Sequence, residues 1–170
     1  MRRGLIGVAM LALAAGAYAG NKVQGNLPVS FGFRAGGVLA QDSELQHTSN
    51  GWLGFGVDAF LGRGLLPTAD THLSLDWFGH DDENVLVFNI NQRFYGATTP
   101  TGQRVYLLAG VGGAKFDVEG DDDSVIGGRV GVGLEFTRNL YGEVSLFLSG
   151  KTKDVGFRTN SLGFYVGWRG

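Results

Sequence analysis

The stretch VYLLAGVGGAKF, residues 105–116, decides how the rest of the chain is read. It alternates as a β-strand does, with Val105, Leu107, Ala109 and Val111 on one face and Tyr106, Leu108, Gly110, Gly112 and Ala114 on the other. Glycine weakens a strand and gives it nothing to pack with. A face that gives up its side chains in this way needs a reason in the geometry of whatever it meets.

The alternation recurs along the chain. Residues 29–40 set Phe31, Phe33 and Leu39 against Ser30, Gly32, Arg34 and Gly36, and residues 52–61 set Leu53, Phe55, Val57, Ala59 and Leu61 against Gly54, Gly56, Asp58 and Phe60. Residues 71–78 oppose Leu73, Leu75 and Trp77 to His72, Ser74, Asp76 and Phe78. In residues 85–95, Leu86, Phe88, Ile90 and Phe94 face away from Asn89, Asn91, Arg93 and Tyr95, with Gln92 a polar intrusion on the apolar side. Residues 125–136 place Ile126, Val130, Val132, Leu134 and Phe136 opposite Arg129, Gly131, Gly133 and Glu135. Residues 140–148 place Leu140, Val144, Leu146 and Leu148 opposite Tyr141, Glu143, Ser145 and Phe147. Residues 161–169 end the series, with Leu162, Phe164, Val166 and Trp168 against Gly163, Tyr165, Gly167 and Arg169. With no sustained apolar repeat at helical spacing after the first residues, the pattern predicts an all-β chain of eight strands.

An even number of strands, each near the roughly 9 to 11 residues that cross a bilayer at a tilt, fits an antiparallel up-and-down transmembrane β-barrel. One face of every strand is almost wholly apolar. The other mixes glycine with Arg34, Asp58, Asp76, Arg93, Arg129, Glu135, Glu143 and Arg169. In a soluble lipocalin-like barrel or sandwich, the alternative arrangement, the charged face would meet water. The glycines argue for the inverse, because the lumen of an eight-stranded barrel is so narrow that large side chains fit only where neighbours give theirs up. Gly54, Gly56, Gly110, Gly112, Gly131 and Gly133 are expected to make room for Tyr, Phe, Arg and Glu of other strands. The four arginines and four carboxylates balance, and charges away from bulk water must be paired, so a salt-bridged lumen plug is expected. The alternative use of the same charges is a narrow pore.

The beginning of the chain carries a separate signal. Arg2 and Arg3 precede an uncharged apolar run, and Ala17-Tyr18-Ala19 has the small residues that signal peptidase prefers. Residues 1–19 are expected to be a cleaved signal peptide and residues 20–170 a single barrel domain. The run is shorter than the roughly 20 residues of a spanning helix. The net charge of −2 becomes −4 without Arg2 and Arg3, so nucleic acid is not an expected partner. The absence of cysteine removes disulfide, CxxC redox and Cys-ligated zinc chemistry. No spacing of the three histidines points to a metal, and no cofactor is expected.

YLLAGVGGAKF, IGGRVGVGLEF, LYGEVSLFL and SLGFYVGWR together resemble the later strands of the small eight-stranded outer-membrane barrels, the family of OmpA-type membrane domains and OmpX. The resemblance covers nearly the whole chain after residue 19. It implies a monomeric barrel in the outer membrane of a diderm bacterium, surrounded by outer-membrane lipid, with both ends of the barrel domain in the periplasm. It also implies assembly by the outer-membrane machinery, which in the family reads a terminal aromatic residue; here Trp168 is followed by Arg169 and Gly170.

That topology sends residues 41–51, 79–84, 117–124 and 149–157 outward and leaves residues 62–70, 96–104 and 137–139 in the periplasm. GHDDEN and DVEGDDDS are acidic, and GKTKD is basic. The acidic pair are read as solvated loops, since neither has the full spacing of a calcium-binding loop, although oxygen ligands suit a divalent cation. His47 and His80 fall in these loops. His72, Ser74 and Asp76 share one strand face, and the His-x-Ser pair resembles that of outer-membrane lipid A deacylases. A nucleophilic serine needs its base within hydrogen-bond reach and a third group orienting that base. The trio points toward the expected lumen, away from any acyl chain, so a non-enzymatic structural or surface-interaction role is the expected function.

Overall fold

A computed structural model describes residues 29–41, 51–63, 69–80, 83–118, 121–150 and 160–170. They form β1 (Ser30–Ala40), β2 (Gly51–Arg63), β3 (Ala69–His80), β4 (Glu83–Thr98), β5 (Arg104–Val118), β6 (Asp121–Glu135), β7 (Leu140–Ser149) and β8 (Ser161–Arg169). Each strand pairs antiparallel with its neighbour in sequence, and β8 pairs with β1, so the sheet closes into an up-and-down barrel. Among the described residues there is no helix. The start of β1 and the end of β8 share one end of the barrel, called proximal below; the other end is distal. Residues 1–19 and His47 lie outside the described residues, as do most of the 41–51 and 149–157 segments.

The paired registers fix the shape. Stepping across the wall from Ser30 through directly opposed partners leads to Phe60, His72, Asn91, Gly110, Arg129, Phe147 and Ser161. The circuit returns to β1 at Ala40, ten residues beyond its start. With about 3.3 Å per residue and about 4.7 Å between strands, that displacement tilts eight strands by about 40° and leaves a backbone cylinder of about 8 Å radius. Inward side chains from opposite walls therefore meet near the axis.

Glycine relieves the crowding. A Cβ on Gly133 would strike the ring of Tyr106, one on Gly167 the ring of Tyr141, one on Gly54 the ring of Phe78, and one on Gly56 the side chains of Arg34 and Asp76. In the stretch 105–116 the occupants differ from expectation. Gly110 and Gly112 lie directly across from Asn91 and Asn89; the Asn91 amide oxygen takes the space at Gly110, and the Phe88 carbonyl with the Asn89 amide oxygen takes it at Gly112. The strand yields to two asparagines rather than to aromatic or charged side chains, because its own partner β4 carries the polar residues at those levels.

The alternation read from the sequence matches the observed faces. Leu53, Phe55, Leu107, Val111, Ile126 and Val166 are exposed on the outside, while Asp58, His72, Asn89, Asn91 and Arg93 have no exposed surface. Gln92 points outward, where its Nε2 donates to Thr71 Oγ1 at 2.7 Å across the β3–β4 pair, so two polar groups on the apolar surface serve each other.

Strand ends differ from expectation. Residues 79–84 and 117–124 were expected to be loops, yet pairing continues through His80↔Glu83 and Val118↔Asp121, while residues 81–82 and 119–120 lie outside the described residues. Polar residues on both faces erase the side-chain period without removing a single backbone donor or acceptor, so the ladder outlasts its signal. At the proximal end β2 runs on to Arg63, with a register shift where Gly62 has a φ of 70°, and β3 starts at Ala69. The wall is consequently uneven: β4, β5 and β6 have 16, 15 and 15 residues, against 10, 9 and 11 in β7, β8 and β1.

If Gly133 is glycine to admit the Tyr106 ring, Gly133→Val should destabilise the barrel by about 1 to 3 kcal/mol through overpacking. Urea unfolding in phospholipid vesicles measures this. In a Tyr106→Ala background the same substitution should cost clearly less, a coupling that would be absent if the glycine served the backbone alone.

Candidate functional site in the barrel interior

Six inward charges meet in the middle of the lumen, one from each of β1 to β4, β6 and β7: Arg34, Asp58, Asp76, Arg93, Arg129 and Glu143. None is more than 3% exposed. Glu143 is the hub. It accepts from Arg129 Nη2 at 2.6 Å, from Tyr106 Oη at 2.8 Å and from Arg93 Nη2 at 3.3 Å, and Arg34 Nη1 lies 3.6 Å away. Asp76 receives Arg34 through Nε at 2.8 Å and Nη2 at 2.6 Å, a bidentate pair, and Arg129 Nη1 at 3.3 Å. Asp58 accepts from Tyr141 Oη at 2.7 Å and stands 3.5 Å from Arg34 Nη1. Arg129 Nε completes the web by donating to Ser145 Oγ at 3.1 Å.

The three arginines and three carboxylates cancel. That balance matters, because an uncompensated ion in so dry a setting costs several kcal/mol, while a bidentate arginine–carboxylate pair recovers much of its lost hydration. Aromatic rings supply the rest. The Arg93 guanidinium carbon sits 4.8, 4.5 and 4.5 Å from the ring centroids of Phe60, Tyr106 and Tyr141, and Arg34 and Arg129 lie over Tyr165 at 5.0 and 5.3 Å. The negative ring faces partly replace the water that the cations have left.

Glu135 and Arg169, read from the sequence as members of the same set, are placed elsewhere. Glu135 lies at the proximal rim, directly across from Arg104, whose Nη2 and Nε donate to it at 2.7 and 3.1 Å. Arg169 lies 4.0 Å from Asp70 and rests over the Phe60 ring at 4.3 Å. Arg104 and Asp70 were read as turn residues, so their part in these rim pairs was missed. The available signal was the β5–β6 hairpin itself, which sets residue 104 opposite residue 135 once the turn after β5 is short.

A different layer fills the distal lumen. Val38, Trp52, Phe78, Val85, Val87, Ala114, Val125 and Phe147 pack together there with Tyr165 as one buried apolar cluster. The sequence pattern placed Phe78, Ala114, Phe147 and Tyr165 on the inward face but did not show that they share one level. The cluster arises because the strand tilt brings these residues, each near the distal end of its own strand, to one level.

The trio on β3 does not assemble as a catalytic set. Ser74 Oγ accepts from Asn91 Nδ2 at 3.0 Å, and Asp76 is engaged by two arginines. His72 stacks on Phe60 with centroids 5.2 Å apart, and its Nε2 is 4.0 Å from Asp58 Oδ1. Neither ring nitrogen has a hydrogen bond. All three side chains are buried in the lumen.

Comparison with solved structures returns the same architecture. Neisserial surface protein A aligns with a TM-score of 0.50 at 14% identity, over 83% of this chain and 94% of that one. The N-terminal β-barrel domain of Pseudomonas aeruginosa OprF aligns at 0.49 and 20% identity, over 83% and 97%. Ail, the attachment invasion locus protein of Yersinia pestis, aligns at 0.44 and 16%, over 84% and 96%. No protein-family model matches the sequence, and no curated protein does. The chain has the fold of the small eight-stranded outer-membrane barrels.

Two glutamates of unlike setting give a test. Glu143→Gln strands three arginines around a neutral group and should cost about 3 to 5 kcal/mol. Glu135→Gln, at a rim where Arg104 keeps a 34% exposed side chain, should cost no more than about 1 kcal/mol. Equilibrium unfolding of the two variants side by side would show the contrast, and equal losses would remove Glu143 from its central place.

Proposed function

We propose that this chain is an integral outer-membrane barrel with a closed, side-chain-filled lumen, acting as a non-enzymatic structural or surface-interaction component of the envelope. One observation carries the reading: the barrel is inside out relative to a water-soluble one. Large apolar side chains ring its exterior, with Ile126 at 82%, Leu53 at 72% and Val111 at 66% exposure, while its most deeply buried side chains include Arg93, Asp58 and Asp76. A belt of that kind finds a favourable surrounding in hydrocarbon, where strands can cross only as a closed barrel that leaves no edge unpaired. The proximal end then faces the periplasm and the distal connections face outward, and residues 1–19 serve as the export signal. The chain acts as a monomer, with lipid covering the belt and the outer-membrane assembly machinery inserting it.

A conducting role is disfavoured by the distal apolar layer, which lies in series with the neutral charge network. An ion passing through would leave water at the first and displace paired side chains at the second. A lipid-modifying role is disfavoured because Ser74 is bonded to Asn91 and points, with His72, away from the lipid side.

Val132 is on the outward face of β6, 46% exposed, and Val132→Arg should destabilise the folded barrel in bilayers by about 2 to 4 kcal/mol if that face meets the midplane. Band shift of unboiled samples after refolding into vesicles reports the folded fraction. Undiminished folding of the arginine variant would place the face outside hydrocarbon.

In planar bilayers the purified protein should give no steady conductance above background. Discrete openings that change with Glu143→Gln would favour a pore instead.

A further inference from the structure

Asn89 shares with His72 the lack of any hydrogen bond at its buried polar side-chain atoms, and it alone of the two lines a cavity. It has no exposed surface, and neither its Oδ1 nor its Nδ2 meets a hydrogen-bond partner in the protein. A buried amide left without partners costs on the order of 1 to 3 kcal/mol, so such groups are rare and are commonly served by water. The side chain also lines a cavity of about 20 Å³. Asp76, Arg129, Ser145 and Tyr165 line the same cavity on its polar side, and Phe78 and Phe147 line it on the apolar side.

We propose that this cavity is a binding site for a single ordered water, held by the Asn89 amide where the charge network meets the distal apolar layer. The volume suits it: a water needs on the order of 10 to 15 Å³ of such space and two to four polar partners. The chemistry suits a neutral ligand as well. The six charges beside the site already cancel, so an ion placed there would meet no net opposite charge. The water joins the Asn89 amide to the hydrogen-bonding groups of the network, with Phe78 and Phe147 against its apolar side. The site is independent of the membrane reading, since it depends only on the lumen, and its failure would leave the proposed function standing.

The test is a high-resolution crystal structure of the intact barrel, with Asn89→Leu crystallised beside it. One isolated density peak should appear within roughly 2.7 to 3.2 Å of the Asn89 amide, and it should be missing in the leucine variant. If the leucine variant fails to fold, water cross-relaxation to the Asn89 side-chain amide of the parent protein in micelles decides the matter, and a long-lived cross-peak is expected. An empty cavity, an Asn89 amide turned to bond a protein group directly, a peak that persists unchanged in the leucine variant, or no cross-peak would each overturn the proposal.

Discussion

A wall of eight strands displaced by ten residues on closing encloses a cylinder of only about 8 Å radius, and that confinement governs what every inward residue is able to be. A lumen of this width holds no free water column and no independent side chains. A tyrosine on one strand requires a glycine on the next, as Tyr106 does of Gly133 and Tyr141 of Gly167. A cation from one wall reaches carboxylates on others, as Arg34 on β1 reaches Asp76 on β3. The glycine content and the ion pairing are two consequences of one radius.

The lumen is graded along its axis. Rim pairs at the proximal end, Glu135 with Arg104 and Arg169 near Asp70, remain partly in contact with solvent. Aromatic rings around Arg93 lead into the neutral charge network, and the apolar cluster closes the distal side. Charge is thus held where rings and opposite charges together replace bulk water, and the apolar cap shields the network from the distal solvent. With polar groups inside and apolar groups outside, burial of charge and exposure of hydrocarbon become compatible once the surrounding solvent is lipid.

Face assignment was legible in the sequence because a strand's period of two survives any register: Phe55 and Asp58 fall on opposite sides whatever their partners are. Partners were not legible. Which inward residues share a level depends on the displacement accumulated around the closed wall, and no local pattern encodes it. For this reason Glu135 was grouped with Glu143, although the wall carries it to the rim, and the Asn89 and Asn91 partners of Gly112 and Gly110 went unforeseen. The apolar cap escaped notice on the same ground, since Val38, Phe78, Val87 and Phe147 come from four strands and look like ordinary strand ends one at a time. Strand ends near His80 and Val118 were lost because the backbone ladder continues where side-chain alternation stops.

The central claim, that the barrel turns its apolar face to lipid and its polar face inward, has a built-in reporter in the three tryptophans. Trp77 and Trp168 lie on the outward face, whereas Trp52 is 5% exposed and belongs to the distal cluster inside. Variants keeping one tryptophan each, with phenylalanine at the other two, can be refolded into vesicles of lipids brominated along the acyl chain. Strong quenching of Trp77 and Trp168 with little quenching of Trp52 is the result the account predicts. Quenching of Trp52 by the acyl chains, with Trp77 and Trp168 instead reached by a water-soluble quencher, would contradict it.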